Sequence, residues 1–513
     1  MRHRRIIQLA LPLLLLRSPS AAVAQAANPN QTSAQSQTSD RLNLLSDQLL
    51  SAQRQLAQTQ QQIVDMQREL DALRAATHLA NPTPVDQQAL STPESSSSSL
   101  AETVQRQSEQ SELQQAEIKQ HEQTKLESVS KYPVRVYGLL LFNTYSNAGV
   151  VDNQDLPTSA LDPARGSSHG SVGASFRQTV LGLRATGPHL LSAESAAEIS
   201  TDFFGGIGYS SYGNSAGTLR LRRADISLRW KRNRSADEVH VGIDAPLISP
   251  LSPTSFATVG QPALAWSGNL WTWSPQLRYK HTTDLWAGTA LELEGGLWDP
   301  PVLGYDYASS RRYPSPGELA RQPGYLGRAS FHAGPELHPF ALGVGGYSDQ
   351  QVFAGTGKIR MWAISADWQI PLARRLGLQG EFYRGRGLGG LGGGAYKDVL
   401  TGTDPVTGAT RTLGLNAIGG WTELKATLTQ SLALNLSYGQ DTAFAGDFHR
   451  LTFPSTRGYL DGVARSSTVA ANLILRPRTY LILSPEYRRI STWQITGYGN
   501  TANIFTLSMG YEF

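Results

Sequence analysis

The sequence predicts an all-β transmembrane antiparallel β-barrel of about sixteen strands, preceded by an N-terminal α-helical coiled coil. Three observations carry that expectation. An export signal opens the chain, a heptad repeat follows it, and from Lys131 to Phe513 the apolar period is two, with long and short connections alternating between the segments.

Residues 1–26, "MRHRRIIQLALPLLLLRSPSAAVAQA", have the three parts of a signal peptide. Arg2, Arg4 and Arg5 make a positive start, Ile6 to Leu16 an apolar stretch, and small residues permit cleavage near Ala24 or Ala26. That apolar stretch is too short to anchor a helix in a bilayer, and no later window approaches the roughly 20 apolar residues a spanning helix needs. A helical membrane protein is therefore excluded. The 513 residues are 40% hydrophobic, with 49 Gly and no Cys. Without Cys there are no disulfides, no Cys-ligated zinc and no thiol nucleophile, and an exported chain is spared mispairing.

Residues 27–40 are a polar N-terminal stretch. In residues 41–80, Leu42, Leu45, Leu49, Ala52, Leu56, Thr59, Ile63, Met66, Leu70 and Leu73 follow a 3-4 spacing without a slip, which keeps one seam toward a partner helix. The other faces are almost all Gln, Ser, Asp and Arg, so a self-associating coiled coil is expected, and Ala, Thr and Met in the second core position leave a trimer open. Residues 81–99, "NPTPVDQQALSTPESSSSS", read as a flexible linker, and residues 100–130 as a polar, helical segment with a weak seam.

Residues 131–513 make the barrel. Strands are predicted near 133–146, 174–186, 191–204, 218–231, 237–245, 273–281, 284–298, 325–333, 338–346, 358–370, 374–384, 412–429, 431–440, 462–475, 478–488 and 502–513. Short links such as "GPHLL", "HTTD", "PLARR" and "RPRT" alternate with long ones, as they do where one set of turns stays tight and the other is free to grow. The faces agree: Ile226, Leu228 and Trp230 oppose Arg223, Asp225, Ser227 and Arg229, while Trp362, Ile364 and Trp368 oppose Met361, Ser365 and Asp367. Trp230, Trp286, Trp298, Trp362 and Trp368 are expected in interfacial girdles.

Together the signal peptide, coiled coil, strand pattern and terminal "YEF" resemble the trimeric outer-membrane porins of Gram-negative bacteria, especially the DcaP-like type with a periplasmic coiled coil. The stretch "VHVGIDAPLISPLSPTSFATVGQPALAWSGNLWTWSPQLRY" is similar to the part of such porins where a strand enters the third external loop. The resemblance implies an outer-membrane location, a homotrimer, passive diffusion of small hydrophilic solutes, and recognition of Phe513 by the barrel-assembly machinery. It also implies that residues 246–272, stiffened by four prolines, fold into the lumen.

Inward-facing candidates for the pore lining are Arg223, Asp225, Arg229, Asp244, Arg278, Lys280, Glu292, Glu294, Arg328, Glu381, Glu423 and Lys425, with Gln276 and His332 among them. Both signs occur, so a transverse field is expected. Residues 131–513 hold 34 basic and 28 acidic residues, a net of +6, which suggests a mild anion preference. Outer-membrane lipid is the expected surroundings; no nucleic-acid partner, metal or cofactor is expected.

"GRGLGG" at Gly385, Gly387 and Gly390 has dinucleotide-binding spacing, but "LGGLGGGAYKD" cannot start the helix such a site needs, so a loop is expected. His189, His240, His281 and His332 fall at turns or on inward faces, and no catalytic residue is assigned. The alternative function is structural: the coiled coil as a periplasmic spacer or cell-wall tether, with the barrel as its anchor.

Overall fold

The computed structural model describes residues 132–163, 169–206, 217–286, 288–302, 313–335, 340–353, 357–453 and 459–513. The segments predicted over residues 1–130 lie outside the described residues.

The period-two segments pair antiparallel with their neighbours in chain order. β1 (Val134–Ala148) meets a second stave made of two pieces, β2 (Gly170–Ser175) and β3 (Val180–Thr186), both paired with β1. The sheet then runs through β4 (Glu194–Asp202), β5 (Arg220–Lys231), β6 (Ser235–Asp244), β7 (Ser274–Trp286), β8 (Thr289–Trp298), β9 (Gly324–Ala333), β10 (Phe340–Val352), β11 (Lys358–Ala373) and β12 (Leu376–Arg386). A small separate hairpin follows, β13 (Val399–Thr403) with β14 (Thr410–Gly414). The main sheet resumes with β15 (Asn416–Thr427), β16 (Leu432–Ala443), β17 (Val463–Arg478), β18 (Leu481–Gln494) and β19 (Gly499–Glu512). With β2 and β3 as one stave, the 17 strands of this sheet make sixteen staves.

β19 pairs with β1 from Leu139↔Glu512 to Ala148↔Asn503, which closes the barrel. Phe513 extends the seam: Gly138 N–H donates to its carbonyl at 2.9 Å and its N–H donates to the Gly138 carbonyl at 3.0 Å. A closed sheet leaves no edge, so its backbone groups are paired without water. Among the described residues no helix is long and apolar enough to cross a membrane.

Each predicted strand corresponds to a stave, but several ends move. β7 runs through "HTTD" to Trp286, because these polar residues pair across the ladder: His281 lies 2.7 Å from Asp237 and Thr282 stands opposite Glu292. β10 reaches Val352 and β18 reaches Gln494, so the connections that follow them are shorter than expected. Thr412 belongs to β14, outside the barrel wall, and β15 begins only at Asn416.

The two faces separate as the alternation predicts. Phe505, Leu507, Met509, Tyr511 and Phe513 are exposed, while Ile504, Thr506 and Ser508 between them are buried. Ile226, Ile364, Leu436 and Tyr438 are likewise exposed, opposite buried Asp225, Ser365 and Ser437. Trp298 departs from its expected girdle place. It is 3% exposed and packs edge-on against Tyr347, with ring centroids 5.2 Å apart.

The apolar core sits inside the barrel. Leu247, Ile248 and Leu270 from the β6–β7 connection pack with inward Tyr347, Met361 and Tyr383, and with Leu388 and Leu391 from the segment after β12. Burying one such aliphatic side chain contributes about 1.5–3 kcal/mol, enough in sum to hold an inserted loop against one wall.

Candidate channel constriction

From Ala245 to Trp273 the chain carries no Asp, Glu, Lys or Arg, so this connection can enter the interior without unpaired charge. The barrel wall supplies the charge instead. Glu381 on β12 accepts from Ser249 Oγ (2.5 Å), the Leu251 N–H (2.7 Å), Asn269 Nδ2 (3.1 Å) and Trp421 Nε1 (3.0 Å). Glu423 on β15 accepts from the Thr254 N–H at 2.8 Å, and Glu486 on β18 from Ser255 Oγ at 2.6 Å. Farther round, Asn143 of β1 donates to the Phe256 carbonyl, and Gln178, between β2 and β3, donates to the Ala257 carbonyl at 2.9 Å and accepts from the Gly260 N–H at 2.9 Å. On the return, Ser267 meets Ser466 and Thr468 of β17 at 3.0 and 2.9 Å. The connection thus leaves β6, crosses the interior and lies along the wall from β12 round to β3 before returning to β7.

The arc from β4 to β11 is lined by charge. Arg223 contacts Asp225 at 2.5 Å, Asp244 at 3.6 Å and Glu198 at 3.8 Å. Arg278 meets Asp244 at 2.6 Å; Lys280 lies 3.8 Å from Glu238 and 3.9 Å from Glu294. His240 sits between Asp225 and Asp244 at 3.6 and 3.4 Å, and His332 is 3.5 Å from Glu292. Arg328 holds Asp367 through two bonds at 2.7 and 3.2 Å. Bases and acids stand beside each other on one arc, so they form local pairs in place of two opposed single-sign walls.

Arg223, Asp225, Asp244, Arg278, Lys280, Glu292, Glu294 and Arg328 therefore come together on one arc. Arg229 and Lys425 are exposed, near the short-turn ends of β5 and β15. Glu381 and Glu423 face inward as expected but are 3% and 1% exposed, covered by the connection they hold. Alternation marks a side chain as inward; it does not say whether water or another loop meets it there.

Two inward arginines escaped the alternation rule. The β4–β5 register shifts between Ser200↔Arg223 and Thr201↔Leu221, and this bulge puts Arg220 and Arg222 on the same face as Arg223. Arg220 binds Asp202 through Nε at 3.0 Å and Nη2 at 2.6 Å, and Arg222 lies 3.6 Å from it. Both guanidinium groups sit over the Trp273 ring, at 4.9 and 5.0 Å from its centroid. The run "RLRRAD" was the available signal: a run of basic residues that strict alternation would split between water and lipid.

A closed antiparallel barrel of sixteen staves, with its third long connection folded across the interior, defines the outer-membrane porin fold. Among solved structures, the chain is similar to the outer membrane channel DcaP of Acinetobacter baumannii, with a TM-score of 0.56 and 16% identity over 75% of this chain and 99% of that one. It is also similar to the anion-selective porin from Comamonas acidovorans (TM-score 0.46, 12% identity, 75% of this chain and 100% of that one) and to Salmonella typhi OmpF (TM-score 0.43, 10% identity, 74% and 98%). No family model and no curated protein matches the sequence.

Proposed function

We propose that the chain is an outer-membrane porin, a water-filled channel for passive diffusion of small hydrophilic solutes, working as a homotrimer whose N-terminal coiled coil lies in the periplasm. The observation that supports this best is the uncharged connection fastened across the interior of a closed barrel. It narrows the barrel to a passage bordered by polar and charged side chains, while the exposed apolar face suits lipid. Arg223, Asp225, Asp244, Arg278, Lys280, Glu292, Glu294 and Arg328 line that passage, with Arg229 and Lys425 toward its short-turn end. Because these charges are locally paired, the wall favours polar over apolar solutes and leaves only a mild anion bias from the net basic barrel.

Purified protein in planar bilayers tests the reading. Steady ohmic steps, with a reversal potential in a salt gradient weakly on the anion side, are expected. Replacing Arg278 and Lys280 by Gln should shift selectivity toward cations by freeing Asp244 and Glu294; unchanged selectivity removes the anion bias, and trimers that never conduct remove the porin reading.

A further inference from the structure

The porin reading leaves the glycine-rich run "GRGLGGLGGGAYKD" without a role. Gly387 to Asp398 are buried without a break, although they join two strands at the long-connection end of the barrel. They pack against the returning half of the β6–β7 connection. The Trp266 N–H donates to the Gly392 carbonyl and the Trp271 N–H to the Leu391 carbonyl, both at 2.8 Å. The Trp266 ring stacks on Tyr396 with centroids 4.8 Å apart and planes 13° from parallel.

The run is itself fastened to the wall. Asp441 on β16, fully buried, accepts from the Gly394 N–H at 3.1 Å, the Ala395 N–H at 2.6 Å and the Tyr383 hydroxyl. Lys397 Nζ donates to the carbonyls of Leu460 and Val463 at 2.9 and 2.7 Å. These ties hold Ala395 and Tyr396 in left-handed backbone at φ 45° and 67°, which non-glycine residues seldom adopt. Glycine is needed where the run threads its neighbours: a Cβ on Gly392 would lie 2.3 Å from Trp271 Cδ1 and Nε1.

We propose that residues 387–398 are a second arm of the constriction. The wall carboxylates hold the outgoing half of the β6–β7 connection, and the glycine-rich arm adds to the wall contacts of Ser267 and Asn269 in holding the returning half, through Trp266 and Trp271, so the arm sets the bore and the steadiness of the open channel. The inference rests on the porin reading. Gly392 and Asp441 are its positioning residues: neither needs to touch the solute.

Full-length trimers in planar bilayers test it. Gly392→Asn keeps a residue that tolerates left-handed backbone but drives a side chain into Trp271; Asp441→Asn keeps the shape and removes the charge that gathers three donors. Each variant should insert as a folded, heat-modifiable barrel, change unitary conductance by about 1.5- to 3-fold and flicker between sublevels. In a Trp271→Ala background the added effect of Gly392→Asn should vanish, because the clash is gone. The inference is overturned if both single variants conduct like wild type, or if Gly392→Asn acts equally with and without Trp271; should one variant fail to insert, the other decides. Silent wild-type trimers would overturn the porin reading, and the inference with it, an outcome distinct from conducting variants that match wild type.

Discussion

Glu381 gathers four donors, three from the β6–β7 connection and one from β15, onto one carboxylate in the barrel interior. An amide there presents an NH2 group to donors, so Glu381→Gln should leave at least one buried donor unmet at a cost of about 1–3 kcal/mol. The expected result is a lower temperature for loss of the folded barrel band on gels, together with noisier open-channel current. Asp404, in the turn between β13 and β14, is held below the usual carboxylate range by the Val406 and Thr407 N–H groups, at 2.9 and 3.2 Å, with Arg411 nearby. A depressed pKa means the turn gains stability above the unfolded-state pKa of about 3.9 and loses it as pH falls through the folded value. Protection of the Val406 and Thr407 amides, corrected for intrinsic exchange, should therefore be constant near neutrality and fall in acid; Asp404→Asn should abolish that dependence.

At the scale of elements, the third long connection behaves as a lining stapled to the wall. Ser267 and Ser466 bring their hydroxyl oxygens to 3.0 Å, so thiols at the two positions would stand within reach of a short bifunctional cross-linker, and the chain has no Cys to interfere. Ser267→Cys with Ser466→Cys should be joined by a short thiol-reactive cross-linker and shift on a denaturing gel, with neither single variant shifting and with conductance close to wild type before cross-linking. Absence of the cross-link would mean that the connection does not rest on β17. The break between β2 and β3 and the bulge in β5 serve the same end, since they turn Arg177, Gln178, Arg220 and Arg222 inward. None of this irregularity has a period, so alternation alone does not place it and only the basic run "RLRRAD" points to the β5 bulge, whereas the regular staves were legible within a few residues.

For the molecule as a whole, closure depends on the last strand. Phe513 adds two backbone bonds to Gly138 beyond the β1–β19 ladder, and its ring lies on the exposed apolar face. Deleting Phe513 should lower the amount of heat-modifiable barrel in the outer-membrane fraction while synthesis is unchanged; normal insertion would count against its role as an assembly signal.

Strand order, the alternation of long and short connections, and the separation of apolar from polar faces were all written in the sequence, because a closed antiparallel sheet imposes a period of two and neighbour-to-neighbour pairing on every segment. Which inward groups meet water was decided only by the tertiary structure. Glu381 and Glu423 carry the same inward phase as the half-buried Glu292 and Glu294, yet the first two are sealed beneath the β6–β7 connection. The glycine-rich run read correctly as a loop, but its place beside Trp266 and Trp271 follows from contacts between segments more than a hundred residues apart. Local period records a side chain's direction; what lies in that direction depends on how distant loops fill the space the barrel encloses.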